Sequence, residues 1–427
     1  MPVSEFEVRP TCSTFYRELL NHHTSNMRIL AGPAALIAGP HRAVAVLCVT
    51  MILGWAALFY PPALTMTYIA EAHGWSLALA LSGFSIALGT SGLCAPYACG
   101  LIDRYGGNPV MAGGALIGAL GLVLLPLAPN YPVYLISWLL IGVATACCLY
   151  DPAFTTLTRI YGMASRGPIT IITFAGGLAS TAGWPLMHFL IENFGWQSVY
   201  YTWAAVFTFL IAPLYWFALP RRKAPVQKAP VAVTDAPPAK ARFIPPHGLP
   251  FILMAAGFAG HSFVMSGATT HLLPILQRGG IDAGTAVMIG AMFGPAQVLA
   301  RFADFASRGR MHPIWVARVS MGTMVLAFAV LAIAGIGPLP AMCFAILFGA
   351  GNGVVTIARG ALPLATFGAS GYGRVVGRIS RPAQILQALA PFVLAFIIDR
   401  WSDQVALDIM IATSATALVC FALLRRV

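Results

Sequence analysis

Asp151 and Arg359 are the residues of this sequence that most need a chemical explanation, because each lies inside a long apolar run. An ionised side chain surrounded by hydrocarbon is costly, and it is retained where it binds, pairs or moves charge. From a helix start near Val133, Asp151 lies roughly 27 Å along the axis at 1.5 Å per residue, and Arg359 lies roughly 27 Å from Ala341. The stretch 142–157 can be laid over 349–364 so that Gly142 falls on Gly349 and Asp151 falls beside Arg359. Two roles stand open for such a pair. In one, the planar fork of Arg359 binds a substrate carboxylate, and a buried Asp151 takes up and releases a proton. In the other, the two form a gate or a packing salt bridge near one end of their helices.

Four further polar groups lie in comparable positions. His261 lies roughly 18 Å into an apolar run that begins at Leu249, followed by Ser262, Ser266, Thr269, Thr270 and His271. An imidazole there can exchange a proton near physiological pH or donate to an anion; the plain alternative is a histidine satisfied by a neighbouring helix. Tyr60 precedes Pro61-Pro62, whose missing N–H groups must interrupt helical hydrogen bonding. Its hydroxyl can serve a ligand at that break, or its ring simply stacks at a kink. Asn352, within Gly349-Ala350-Gly351-Asn352-Gly353, places an amide mid-run, and Gln297 is a lesser candidate.

The elements that must position these groups follow from composition. Of 427 residues, 59% are hydrophobic and only 9% charged, whereas a soluble chain carries roughly a quarter charged residues. Lipid must therefore be the main solvent. Twelve runs are long and apolar enough to cross a bilayer, near 43–69, 76–99, 109–128, 133–155, 167–190, 197–219, 249–272, 283–303, 314–335, 340–362, 377–398 and 404–424. None shows the period-two alternation that a membrane barrel requires. The expectation is an all-α membrane protein with a cytoplasmic N-terminal tail over 1–42, a six-helix bundle over 43–219, a proline-rich basic linker over 220–248 and a second six-helix bundle over 249–427. Met1 and Met27 are both candidate starts.

The net charge of +12 suggests an acidic partner until the basic residues are located. With the N-terminus inside, all of them except Arg278, Arg400 and Arg359 fall on cytoplasmic segments or helix ends, while Glu71, Glu192, Asp282, Asp399 and Asp403 fall outside. The charge therefore reads as an orientation signal with both termini cytoplasmic, and no nucleic-acid partner is expected. The eight cysteines show no C-x-x-C spacing, so no metal site or disulfide framework is expected. With no phosphate-binding loop and no hydrolytic constellation, neither a cofactor nor enzymatic catalysis is expected.

Between the second and third runs stands Gly100-Leu101-Ile102-Asp103-Arg104-Tyr105-Gly106, and Arg301-Phe302-Ala303-Asp304 with Arg308, Gly309 and Arg310 stands at the matching place in the second half. With the six-plus-six division, these segments resemble the signature loops of the major facilitator superfamily. The first glycine sits one residue nearer Asp103 than is usual, and Gly107-Asn108-Pro109 replaces the trailing basic pair. The overall pattern is most similar to bacterial relatives of the monocarboxylate and oxalate/formate porters. The resemblance implies two pseudosymmetric bundles of the major facilitator fold, with spans 1, 4, 7 and 10 lining a central cavity. It implies that Asp103, Arg104, Arg301 and Asp304 form a conformational latch, with a simple topology anchor as the alternative. It further implies a secondary transporter in the bacterial inner membrane, functional as a monomer. On this reading Arg359, His261, Tyr60 and Asn352 bind a small organic anion, and Asp151 and His261 couple it to a proton, or a counter-substrate is exchanged. Efflux of hydrophobic or cationic compounds, and a membrane sensor with a carrier fold but no transport, are the alternatives.

Overall fold

The computed structural model describes residues 40–220, 248–306 and 311–425. Residues 1–39 of the expected tail, 221–247 of the linker, Cys12 and the Arg308-Gly309-Arg310 segment lie outside the described residues.

Among the described residues the chain forms twelve helical crossings. The first is His41–Leu58 continued by Pro61–His73, the second Leu77–Tyr105, and the third Gly107–Leu124. The fourth is Tyr131–Cys148 with Tyr150–Tyr161, the fifth Arg166–Gly177 with Ala179–Phe194, and the sixth Trp196–Val206 prolonged by π-helical turns to Ala218. In the second half follow Leu249–Arg278, then Ala283–Ala291 with Phe293–Ala306, then Pro313–Ala334, Pro338–Phe367, Tyr372–Arg400 and Asp403–Leu423 as spans seven to twelve. The fourth and fifth spans are parted only by the 3-10 turn Gly162–Ser165. Gly162 opens that turn at φ +60°, a backbone region in which a side chain is strained.

An even number of crossings puts both ends of the described chain on one face, called here the termini side. Every even-numbered span starts on the far side, and four of them are capped there by a side chain. Ser76, Asn130, Asp282 and Ser402 each accept a hydrogen bond from the backbone N–H three residues on, supplying a partner that the first turn otherwise lacks. Hydrogen bonds from Thr285 hold the Asp282 carboxyl below its usual range. Several spans outrun the sequence expectation: the eleventh begins at Tyr372 rather than near 377, and the tenth continues to Phe367. A helix does not stop where hydrocarbon stops, because its polar end turns lie in the headgroup zone.

Two apolar cores divide the chain. One draws on residues 43–219 and admits Leu364, Tyr372 and Val376 from the second half; the other spans 254–424. In lipid, apolar side chains gain little by leaving the solvent, so helix pairing rests on close van der Waals approach and hydrogen bonds. Glycines supply the approach at matching places. A Cβ on Gly142 would stand 2.5 Å from the Ala87 carbonyl of the second span, and one on Gly349 would stand 2.8 Å from the Phe293 carbonyl of the eighth. The register that aligns Gly142 with Gly349 in the sequence is thus repeated as the same helix contact in both halves.

The ends of the two halves are tied in parallel fashion. Asn108, buried at the start of the third span, donates to the carbonyls of Tyr215, Trp216 and Leu219 at the end of the sixth. Arg318 on the ninth donates to Phe421, Ala422 and Leu424 at the end of the twelfth. Each satisfies carbonyls that a helix terminus leaves unpaired.

Candidate functional site

Asp151 belongs to the first turn of Tyr150–Tyr161, after the fourth span breaks at Leu149. Its Oδ2 accepts from Arg359 Nη2 of the tenth span at 3.0 Å and from Gln384 Nε2 of the eleventh at 3.1 Å. Both partners come from the second half, so the cluster bridges the two bundles. It is not saturated: Asp151 Oδ1, Arg359 Nε and Gln384 Oε1 are buried without a hydrogen-bond partner. The two charges are also unequally reachable, since the Arg359 side chain keeps 22% of its exposure and that of Asp151 only 5%.

Two helical turns from Arg359, and so on the same face of the tenth span, Asn352 Oδ1 lies 3.1 Å from His261 Nε2 of the seventh span. Gly353, next along, accepts from Nε of Arg301, whose Nη1 reaches the Thr173 carbonyl of the fifth span and whose Nη2 bonds Gln297. Arg301 is 4% exposed and sits in the notch left by Gly177, where a Cβ would stand 2.3 Å from Nη1. His261, Asn352 and Arg301 therefore gather about one level of the tenth span, with the Asp151–Arg359–Gln384 cluster about 10 Å further along it.

The facing wall in the first half is aromatic. Tyr150 stacks on Phe154 at 5.4 Å and packs against Trp55 at 5.0 Å, and its hydroxyl donates to the Thr173 carbonyl. Trp55 and Phe59 meet edge to face at 5.0 Å, and Phe84 lies 5.5 Å from Phe59. Tyr60, at the break before Pro61-Pro62, is half-buried, edge to face with Phe59 at 5.7 Å and with Trp184 at 6.4 Å.

The structure gives each signature-loop residue its own partners. Asp103 does not hold Arg104, which is exposed and lies over Tyr105. Instead its carboxylate accepts from the backbone N–H groups of Gly373 and Arg374 at the start of the eleventh span, at 3.1 and 3.0 Å. Arg159 donates to the Asp103 and Ile102 carbonyls. Arg301 is committed to the fifth and tenth spans rather than to Asp304. Arg166 of the first half is one charge in the surroundings of Asp304, and it donates to the Met311 carbonyl. The reason is geometric. Residues adjacent in sequence leave a helix in different directions, so Asp103 finds its partners on the opposite half.

These cross-half contacts concentrate on the termini side, where the second span packs on the eleventh and Arg166–Gly177 packs on the eighth and tenth. The far segments Pro61–His73 and Ala179–Phe194 pack within their own half. The halves are thus closed at the termini side and parted on the other. Gln384 had no place in the sequence reading, because the eleventh span is not among those the resemblance puts at the cavity. Its signal was an amide two residues after Pro382, one of two in the span with Gln387.

The profile of the Major Facilitator Superfamily matches residues 46–380. The chain belongs to that superfamily. A curated fungal relative, the fujikurins efflux protein of Gibberella fujikuroi, is 26% identical over 317 residues, 70% of this chain and 64% of that protein. The chain therefore spans somewhat less than two thirds of that relative's length. Among solved structures, the human organic anion transporter MFSD10 (TETRAN) superposes with a TM-score of 0.68 at 19% identity, covering 91% of this chain and all of that one. The Escherichia coli fucose:proton symporter FucP gives 0.67 at 14% identity, with 89% and 97% covered. At such identities the likeness concerns the fold alone. Family and architecture together make this a multi-pass membrane protein of a transporter superfamily.

Proposed function

We propose that this member of the superfamily moves a small organic anion, monocarboxylate-like in its charged group, by alternating access coupled to protons or a counter-substrate. The observation that carries the reading is the unequal exposure of the central pair: the Arg359 side chain keeps 22% of its exposure and that of Asp151 only 5%. Arg301 adds a second buried cation, so the zone between the halves holds two fixed positive charges against one negative. A carboxylate arriving from the far side takes the place of Asp151 on Arg359, with the unpaired Nε available for a second bond. His261 and Asn352 contact the remainder of the solute, and the Tyr60 hydroxyl lies at its aromatic wall. Asp151, relieved of its partner, accepts a proton, and the halves then lose the charged tie that holds them closed on the termini side.

Asp103 with the eleventh-span backbone and Asp304 with Arg166 act as the two latches of the closed side, with Arg104 outside the latch and Arg301 bracing the fifth span. The charge distribution supports a cytoplasmic termini side, the cell membrane of a bacterium as location, and a monomer as the working unit. A relationship to the monocarboxylate and oxalate/formate porters fits this chemistry.

A second reading, export of a hydrophobic compound, draws support from the aromatic wall and from the efflux named for the fungal relative. Reconstituted proteoliposomes separate the two. Uptake of labelled monocarboxylates that rises with an imposed pH gradient supports the first reading; no carboxylate flux, with extrusion of lipophilic dyes, replaces it with the second.

A further inference from the structure

The eleventh span carries exposed residues on one face toward each of its ends. Leu389, Phe392 and Phe396 on that face are 48%, 44% and 61% exposed, and Ile385 precedes them by one turn. Continued toward the termini side at the same alternation of three and four residues, the face carries Arg381, Arg378 and Arg374, all exposed. Arg374 lies nearest the helix start, with its stem against Gly100 of the second span and its backbone N–H on Asp103. Arg378 and Arg381 lie one and two turns deeper, and among the described residues neither has a hydrogen bond or ion pair.

Arg381 begins roughly 13 Å along the helix from Tyr372, at the boundary of hydrocarbon and headgroups. A guanidinium there cannot remain unpaired in acyl chains. It extends its stem toward the interface and seeks an anion. The anion present in quantity at that depth is the phosphate of a phospholipid, and a planar guanidinium matches phosphate bidentately. Below the arginines the stripe passes Ile385, half-buried against Gly92 of the second span, and resumes at Leu389 as an exposed surface for acyl chains. On the adjoining second span, Leu93, Tyr97 and Leu101 are 53%, 66% and 45% exposed, prolonging that surface across the seam between the halves.

We propose that Arg378 and Arg381, with Arg374 at the rim, form a binding site for the headgroup of an anionic phospholipid in the leaflet on the termini side. The site lies outside the transport cavity and belongs to the helix whose first turn holds Asp103, so a bound lipid also braces the closed side.

The test is native mass spectrometry of the full chain released from mixed micelles holding equal phosphatidylglycerol and phosphatidylcholine, with thermal unfolding under each lipid alone. The wild type is expected to retain phosphatidylglycerol preferentially and to unfold at higher temperature in its presence. At about fivefold in affinity for each interfacial cation, Arg378→Gln with Arg381→Gln lowers that retention by at least tenfold. The Arg378→Lys/Arg381→Lys chain keeps charge and retains part of it. Arg221→Gln/Arg222→Gln/Lys223→Gln in the linker serves as the control for general basicity and leaves retention unchanged. Should the double glutamine chain, monodisperse and folded, hold phosphatidylglycerol as the wild type does, the site is wrong. Equal loss in the linker variant, or stabilisation by inorganic phosphate as strong as by the lipid, overturns it as well.

Discussion

Asp151→Asn separates the two roles of the central pair, because it removes the internal competitor of Arg359 while keeping the shape of the side chain. In the wild type an incoming anion must displace an ion pair closed at 3.0 Å. With charge centres about 4 Å apart and an effective dielectric near 20, the gross attraction is about 4 kcal/mol. Most of that is offset by desolvation, and a hydrogen bond to a charged group is worth roughly 1.5–3 kcal/mol net. The asparagine retains a neutral contact with Arg359, and Gln384 keeps its own. Substrate binding to Asp151→Asn is therefore expected to tighten, by roughly ten- to a hundredfold, while pH-driven transport is lost. Isothermal titration with a monocarboxylate, beside counterflow and pH-driven uptake in liposomes, reads both quantities. Weaker or unchanged binding in Asp151→Asn refutes the competition argument, and abolished binding of a cationic compound transfers the site to the efflux reading.

Three other outcomes are expected. Gly349→Val drives its Cβ into the Phe293 carbonyl and lowers the unfolding temperature by an amount equivalent to about 1–3 kcal/mol; Gly142→Val does the same against Ala87, and a neutral result at either site contradicts the shared helix contact. Asp103→Asn weakens acceptance from the Gly373 and Arg374 N–H groups, which shifts the closed side open by about 1–2 kcal/mol. In a chain whose only thiol is Cys99, buried at that seam, maleimide labelling then accelerates roughly five- to thirtyfold, and equal rates would rule out the latch. Asn108→Ala strips the donor from three carbonyls at the end of the sixth span and costs about 1–3 kcal/mol of stability, readable as a lowered unfolding temperature in detergent.

The sequence alone determined the solvent, the twelve crossings and the pairing of halves. Each depends on local quantities: the length of an apolar run, the break at Pro61-Pro62, the repeat that lays Gly142 over Gly349. The same repeat brought Asp151 to the depth of Arg359, because equal rise along equivalent helices fixes height in the bilayer. It did not supply azimuth. Which neighbour a side chain meets depends on the rotation and rocking of whole helices, and only the packed structure decides that. Hence Gln384 joined the central pair from a helix outside the expected set. Arg301 was drawn to the Thr173 carbonyl by the notch at Gly177, and Arg104, one residue from Asp103, was turned out to the surface. The structure also decided which member of the central pair is the more exposed. A cation 22% exposed beside a carboxylate 5% exposed is a property of the closed seam, formed by residues more than two hundred positions apart, and no local pattern records it.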